Sequence, residues 1–261
     1  MRSPRINRGM PIRLVTALIM AAIICASPTS ATGSPCGAQD LGEARVTAIA
    51  DHRTITLADG RQVRLAGLEW TVPPDAAKAA LAPLLLNENV RVTGTPNPDR
   101  YGRIYAFLFV SGSETPVQYV LLERGLALMG SHQESKSCAV ALLAQEAKAR
   151  AARAGFWSST QLMHRADAPN IILSDRGRFA MVEGRVLSVR ESGSLIYVNF
   201  GRRWSEDFTV TIAKRMQPTF IKEGLPPKSL AGRDVRVRGI IEERAGPWIE
   251  AVRPSQIEVL K

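Results

Sequence analysis

Two successive runs of alternating apolar and polar residues, each interrupted by a helical stretch, constrain this chain most. From 44 to 68 the segments "ARVTAIA", "RTITLADG" and "RQVRLAGL" place an apolar residue at every second position, which is the side-chain period of a strand. Asp59-Gly60 lies between the second and third segments and signals a tight hairpin. Residues 75–86, "DAAKAALAPLLL", have helical spacing with Asp75 in the first turn, although Pro83 offers no backbone donor. "NVRVTG" at 89–94 reads as a strand. "RIYAFLFV" at 103–110 is apolar on both faces, as in a strand buried on both sides. Helices are expected over 116–127 and from 137 to a stop at Gly155. The order is three strands, helix, two strands, two helices.

A polar stretch, 158–177, follows and reads as a linker. The strand period then restarts in "AMVEGRVLSVRE", "SLIYVNFG" and "DFTVTI". A short helix fits 214–223, and "DVRVRGII", "PWIEAV" and "QIEVL" close the chain. Each half therefore suggests a five-stranded OB-type barrel with a helix between its third and fourth strands. The expected fold class is mainly β with α (α+β): a barrel with three helices over 32–157, then a second, smaller OB-like β-barrel over 178–261. The halves share this order of elements and no strong sequence identity.

The N-terminus reads differently. Arg2, Arg5, Arg8 and Arg13 precede the apolar run "LVTALIMAAIICA" and the small-residue stretch "SPTSATG". That is the make-up of a secretory signal peptide. Cleavage near Ala31 would leave 1–31 behind and export the rest to the periplasm or medium, with no membrane span remaining. The apolar run is short for a span; an uncleaved anchor is the alternative. A lipoprotein through Cys25 is disfavoured by the bulky Ile24 before it. Overall 45% of residues are hydrophobic and 22% charged, which excludes disordered and fibrous classes. The net charge is +10 and unevenly spread. Residues 34–177 carry 15 basic and 14 acidic side chains, a net of +1, whereas 178–261 carry 15 and 10, a net of +5. Phosphate attraction, if it operates, falls more on the second half. Cys36 and Cys138 would remain after cleavage, and an even pair in an exported chain suggests a disulfide.

The stretches "VTAIADHRTITLADGRQVRLAGL", "DRYGRIYAFLFV", "VQYVLLERGLA" and "LLAQEAKARAARAGFW" stand in an order and at spacings that resemble the staphylococcal nuclease (thermonuclease) family over 44–157. The resemblance implies calcium-assisted cleavage of phosphodiester bonds in DNA or RNA. Such a site needs carboxylates to hold a hard cation, a glutamate to orient water, and two arginines to neutralise the transition state.

Transferred residue by residue, the pattern is broken. Active members show Asp-Gly-Asp-Thr after the first strand, and the second aspartate is a metal ligand. Here the stretch is "DHRT", Asp51 to Thr54, so the ligand position is Arg53, whose permanent positive charge opposes a cation. The first family arginine corresponds to Arg64 and the second to Arg103. The second metal-ligand aspartate is replaced by Glu69, in "EWTV". The water-activating glutamate falls at Val72, which can neither accept a proton nor orient water. Asp51 and Glu69 are the weak candidates left for a metal. Arg53 is expected to pair with one of them, in the position the cation would hold. Arg100 and Tyr101 in the same turn as Arg103 are candidate substrate contacts, although Tyr101 also reads as a turn-packing residue.

Elsewhere, His52, His132 and His164 are scattered, with no zinc-ligand spacing. Glu146, Lys148 and Arg150 read as a solvated helix face with local ion pairs, and Phe156 and Trp157 as core. In "YVNFGRRWSEDFTVTI", Tyr197, Phe200, Trp204 and Phe208 interleave with Arg202 and Arg203. Either the aromatics fill the barrel and the arginines tip a hairpin, or the stretch binds single-stranded nucleic acid by stacking and phosphate contact. The leading expectation is a non-hydrolytic binder of nucleic acid or another polyanion, or an envelope interaction module, with no cofactor. The alternatives are a working calcium-dependent phosphodiesterase and a protein-binding scaffold of the cell envelope.

Overall fold

The computed structural model describes residues 1, 35–36, 39–130, 135–159, 163–203 and 205–260. The chain divides into two compact units, Met1–Thr32 and Gly33–Lys261. The expected signal peptide falls outside the described residues, as do His132 and Trp204.

The first part of the larger unit runs β1 (Gln39–Ile49), β2 (Thr54–Leu57), β3 (Gln62–Leu65), β4 (Leu68–Trp70), α1 (Pro74–Leu85), β5 (Asn89–Gly94), β6 (Arg103–Val110), α2 (Val117–Glu123), β7 (Ala127–Met129) and α3 (Lys136–Ala152). Five of these strands close a barrel in the order β1-β2-β3-β6-β5. All neighbours are antiparallel except β3 and β6, which are parallel. Alternate residues, among them Val46, Ile55, Val63, Val92 and Leu108, are buried in the interior, as the two-residue period requires. The helix expected at 116–127 stops at Glu123, because the chain turns at Gly125 with φ +65°. The residues after it pair with β4 as the short strand β7. Cys36 and Cys138 form a disulfide closing a separation of 102 residues, and it ties the start of the described chain to the first turn of α3.

The second part contains β8 (Met163–Arg165), α4 (Pro169–Leu173), β9 (Phe179–Arg185), β10 (Ser188–Ser192), β11 (Leu195–Asn199), β12 (Thr209–Ala213), α5 (Gln217–Lys222), β13 (Asp234–Ile240), β14 (Glu242–Arg244), β15 (Gly246–Glu250) and β16 (Ile257–Val259). Two expectations need correction. Part of the stretch read as a linker, 158–177, is structured: β8 joins the sheet beside β9, and Ile172 of α4 is fully buried in the core. The signal missed was His164, which reads as a lone polar residue but is buried at 7% exposure. Its Nε2 lies 2.8 Å from Asp175 Oδ2. The strands, moreover, do not close as one barrel among the described residues. They form a five-stranded sheet, β10-β11-β12-β15-β14, and a four-stranded sheet, β16-β13-β9-β8, which share one apolar core.

A third correction concerns Glu146. It is 1% exposed, not solvated, and Arg238 on β13 meets it through two parallel bonds, Nη1 to Oε2 at 2.9 Å and Nη2 to Oε1 at 3.0 Å. Arg238 also donates to Glu258 and to the Met129 carbonyl. Burial works against each charge. The opposite charges outweigh it, holding the Glu146 carboxyl below its ordinary range and the Arg238 proton more tightly than usual. Lys148 does behave as expected, exposed and 3.2 Å from Glu123. Arg150 is half-buried with its guanidinium over the Trp157 ring.

Candidate anion site on the barrel rim

The turn after β1, the strand β3 and the turn before β6 gather charged side chains on one rim of the barrel. In the parallel β3–β6 pair, Gln62 is opposite Arg103 and Arg64 opposite Tyr105. Val63, Leu65, Ile104 and Ala106 take the interior positions. Arg64 and Arg103 therefore share the outward face of adjacent strands. Thr54, next to Arg53, is opposite Arg64 across the β2–β3 hairpin, which brings the third arginine to the same neighbourhood.

Arg103 is braced rather than loose. Its Nε and Nη2 donate to Asp99 Oδ2 at 3.0 and 2.8 Å, and its own amide donates to Asp99 Oδ1 at 3.0 Å. These bonds hold the Asp99 carboxyl down at about 2. The turn is built for this. Gly102 adopts φ +80°, where a side chain would be strained, and the Tyr101 amide also donates to Asp99 Oδ1. The guanidinium carbons of Arg100 and Arg103 lie 4.7 and 4.9 Å from the Tyr101 ring centre, within cation–π range. Tyr101 is 61% exposed, so its ring lies on the surface rather than packing the turn. Arg64 lies over Tyr105 at 5.5 Å and makes no ion pair among the described residues.

The carboxylates are placed differently. The Arg53 guanidinium sits 3.5 Å from Glu69 Oε2, and its Nε donates to His52 Nε2 at 2.9 Å. Its backbone amide, not its side chain, donates to Asp51 Oδ1 at 2.6 Å. Slight burial raises the Asp51 carboxyl, but that amide and its neighbours outweigh the effect and leave it lowered. Burial, with the Arg53 cation beside it, holds His52 below its ordinary value, so its ring is neutral at pH 7. Arg53 thus touches both remaining acids. Among the described residues, no three His, Cys, Asp or Glu side chains converge as a metal cage. Thr71, two residues beyond Glu69, is bound through its amide to the Leu126 carbonyl and through its hydroxyl to the Gly125 carbonyl. Val72, beside it, is half-buried.

The arrangement brings Arg53, Arg64 and Arg103 together with Asp51 and Glu69 on the barrel, while Arg202 and Arg203 lie in the second half, exposed on the loop before β12. Sequence reasoning missed Asp99 as the brace of Arg103, although it is readable four residues earlier in "DRYGR".

Comparison with known proteins bears on this rim. Residues 74–159 match the family model described as staphylococcal nuclease homologue. The match starts after Arg53, Arg64 and Glu69 and takes in Arg103, α2 and α3. No curated protein matches the chain. The match covers about a third of the chain and supports a staphylococcal nuclease-like domain there, a likeness that suggests nuclease-type nucleic-acid binding.

Proposed function

We propose that this is an exported protein that binds nucleic acid, or a similar polyanion, without hydrolysing it. The observation that carries the reading is the Arg53–Glu69 contact at 3.5 Å. A guanidinium stands against the acid that replaces a metal-ligand aspartate of active relatives. A divalent cation there would face a fixed positive charge, and calcium needs about six to eight oxygen ligands. The residues present do not fit calcium, and Val72 supplies no carboxylate for water. What remains favours anions: Arg64 without an ion-pair partner among the described residues, Arg103 held in place by Asp99, and Tyr101 exposed between Arg100 and Arg103.

The second reading is a phosphodiesterase with an altered site, using Asp51 and Glu69 with the same two arginines. The placement of all four on neighbouring barrel elements favours it. The two readings separate in a binding titration with single-stranded DNA. The binder loses affinity steeply with added salt, with a log–log slope near −0.7 per phosphate neutralised, and chelator changes nothing. Arg103→Ala lowers that slope by about one contact. Affinity that depends on calcium would overturn the proposal.

A further inference from the structure

We propose that the outer face of the five-stranded sheet holds a second ligand site, a pocket for one unpaired nucleobase of a single strand. It extends the polyanion reading to a base-reading site distant in sequence from the barrel rim, and it rests on that reading.

The register builds the pocket. Asn199, Thr209 and Trp248 stand opposite one another on β11, β12 and β15, in a row facing away from the core residues Val198, Val210 and Ile249. With Tyr197, Asp207 and Arg244 they line a cavity of ≈ 210 Å³. Thr209 and Trp248 are only 8% and 7% exposed, and the Thr209 hydroxyl and the Trp248 indole nitrogen have no hydrogen-bond partner among the described residues. Both atoms are closed to solvent, so the cavity's chemistry is set by the side-chain surfaces that do reach it.

The lining also indicates the ligand's chemistry. The Arg244 guanidinium covers the Trp248 ring at 3.4 Å from its centre, and Tyr197 supplies another flat surface. Bases stack on aromatic rings and on guanidinium planes. The Asp207 carboxylate accepts only, and the Asn199 amide can donate and accept. That mixture suits the edge of a base, and Asp207 makes the pocket unfit for a phosphate. The phosphates have cations close by. Asp207 Oδ2 accepts from the Arg203 amide at 2.7 Å, which pins the loop carrying Arg202 and Arg203. Gly246 lets that loop lie against β15, since a side chain there would meet the Glu206 and Asp207 backbone at 2.9 Å.

The test uses the whole mature chain labelled with ¹⁵N-tryptophan and two single-stranded decamers of equal charge, one with bases and one abasic. The Trp248 indole signal is identified by its absence in Trp248→Phe. With bases it should shift on titration; with the abasic strand it should not. The abasic strand should bind about 5- to 150-fold more weakly, the range expected of base–aromatic stacking. Tyr197→Leu, at a half-buried position that does not depend on the indole, should shrink the difference between the two strands. Equal binding of both strands with Trp248 unmoved overturns the pocket and leaves the polyanion reading standing. No binding of either strand at low salt overturns both. A neutral oligosaccharide that shifts Trp248 where bases do not would reassign the pocket to a glycan.

Discussion

Asp99 decides how Arg103 behaves. The carboxylate takes two side-chain bonds and two backbone bonds in one five-residue turn, so it orients the guanidinium while competing with a phosphate for it. Its folded value, about 2, lies below the ordinary 3.8. A depressed carboxylate contributes its stabilisation above the unfolded value and loses it as pH falls through the folded one. The brace is therefore complete above roughly pH 4 and released only near pH 2. Binding of single-stranded DNA between pH 5 and 8 should show no Asp99 titration. Carbon-13 NMR of the carboxyl should place its midpoint well under that of a free aspartate. Asp99→Asn should weaken DNA binding by a modest factor, about 2- to 10-fold, if orientation outweighs competition, the scale of losing one charge-assisted hydrogen bond. Tighter binding by Asp99→Asn would mean that the carboxylate chiefly blocks the site.

At the scale of elements, two glycine landmarks acquire a physical reason. Gly125 and Gly155 have φ +65° and +50°, and each meets the other's surroundings. A side chain at Gly125 would strike the Ala154 carbonyl at 2.2 Å, and one at Gly155 the Arg124 carbonyl at 2.5 Å. Their close approach locks the end of α2 against the end of α3, sealed by the Phe156 amide donating to the Gly125 carbonyl at 2.9 Å. Gly125→Ala should cost at least about 1–2 kcal/mol for the left-handed backbone alone, read as a lower urea midpoint. The stop at Gly155 and the strands at 89–94 and 103–110 were legible because periodicity and turn chemistry are local; the turn at Gly125 was not, since the helical spacing of 116–127 runs through it. The pairs β4–β7 and β14–β15 were not. Each includes a strand of three residues, too short for a period, and exists through cross-strand bonds to a partner that the local pattern does not announce. In the candidate site, Arg64, Arg103 and Glu69 were singled out only through the resemblance to the family pattern. The pocket around Trp248 was not, because its lining comes from four strands and a loop.

For the molecule as a whole, the Arg238–Glu146 pair joins segments 92 residues apart. Its meaning was hidden in sequence because an arginine in a strand and a glutamate on a helix both read as outward-facing. With Leu128, Phe156 and Met181 forming a shared apolar cluster, the two parts should unfold together. Glu146→Gln leaves a buried guanidinium short of countercharge and should cost about 3–5 kcal/mol; one cooperative transition at a lower midpoint is the expected calorimetric result. Reducing Cys36–Cys138 frees a loop of 102 residues and should lower stability by about 4–5 kcal/mol on loop-entropy arithmetic, measurable as a reductant-dependent shift of the urea midpoint. Whether Arg53 occupies ground a catalytic cation would need is decided by a digestion assay. Purified chain is incubated with end-labelled single-stranded DNA in millimolar calcium and, in parallel, in excess chelator. The strand should stay intact in both tubes; cleavage that appears with calcium, vanishes with chelator and is abolished by Arg103→Ala would show that a working cation site survives.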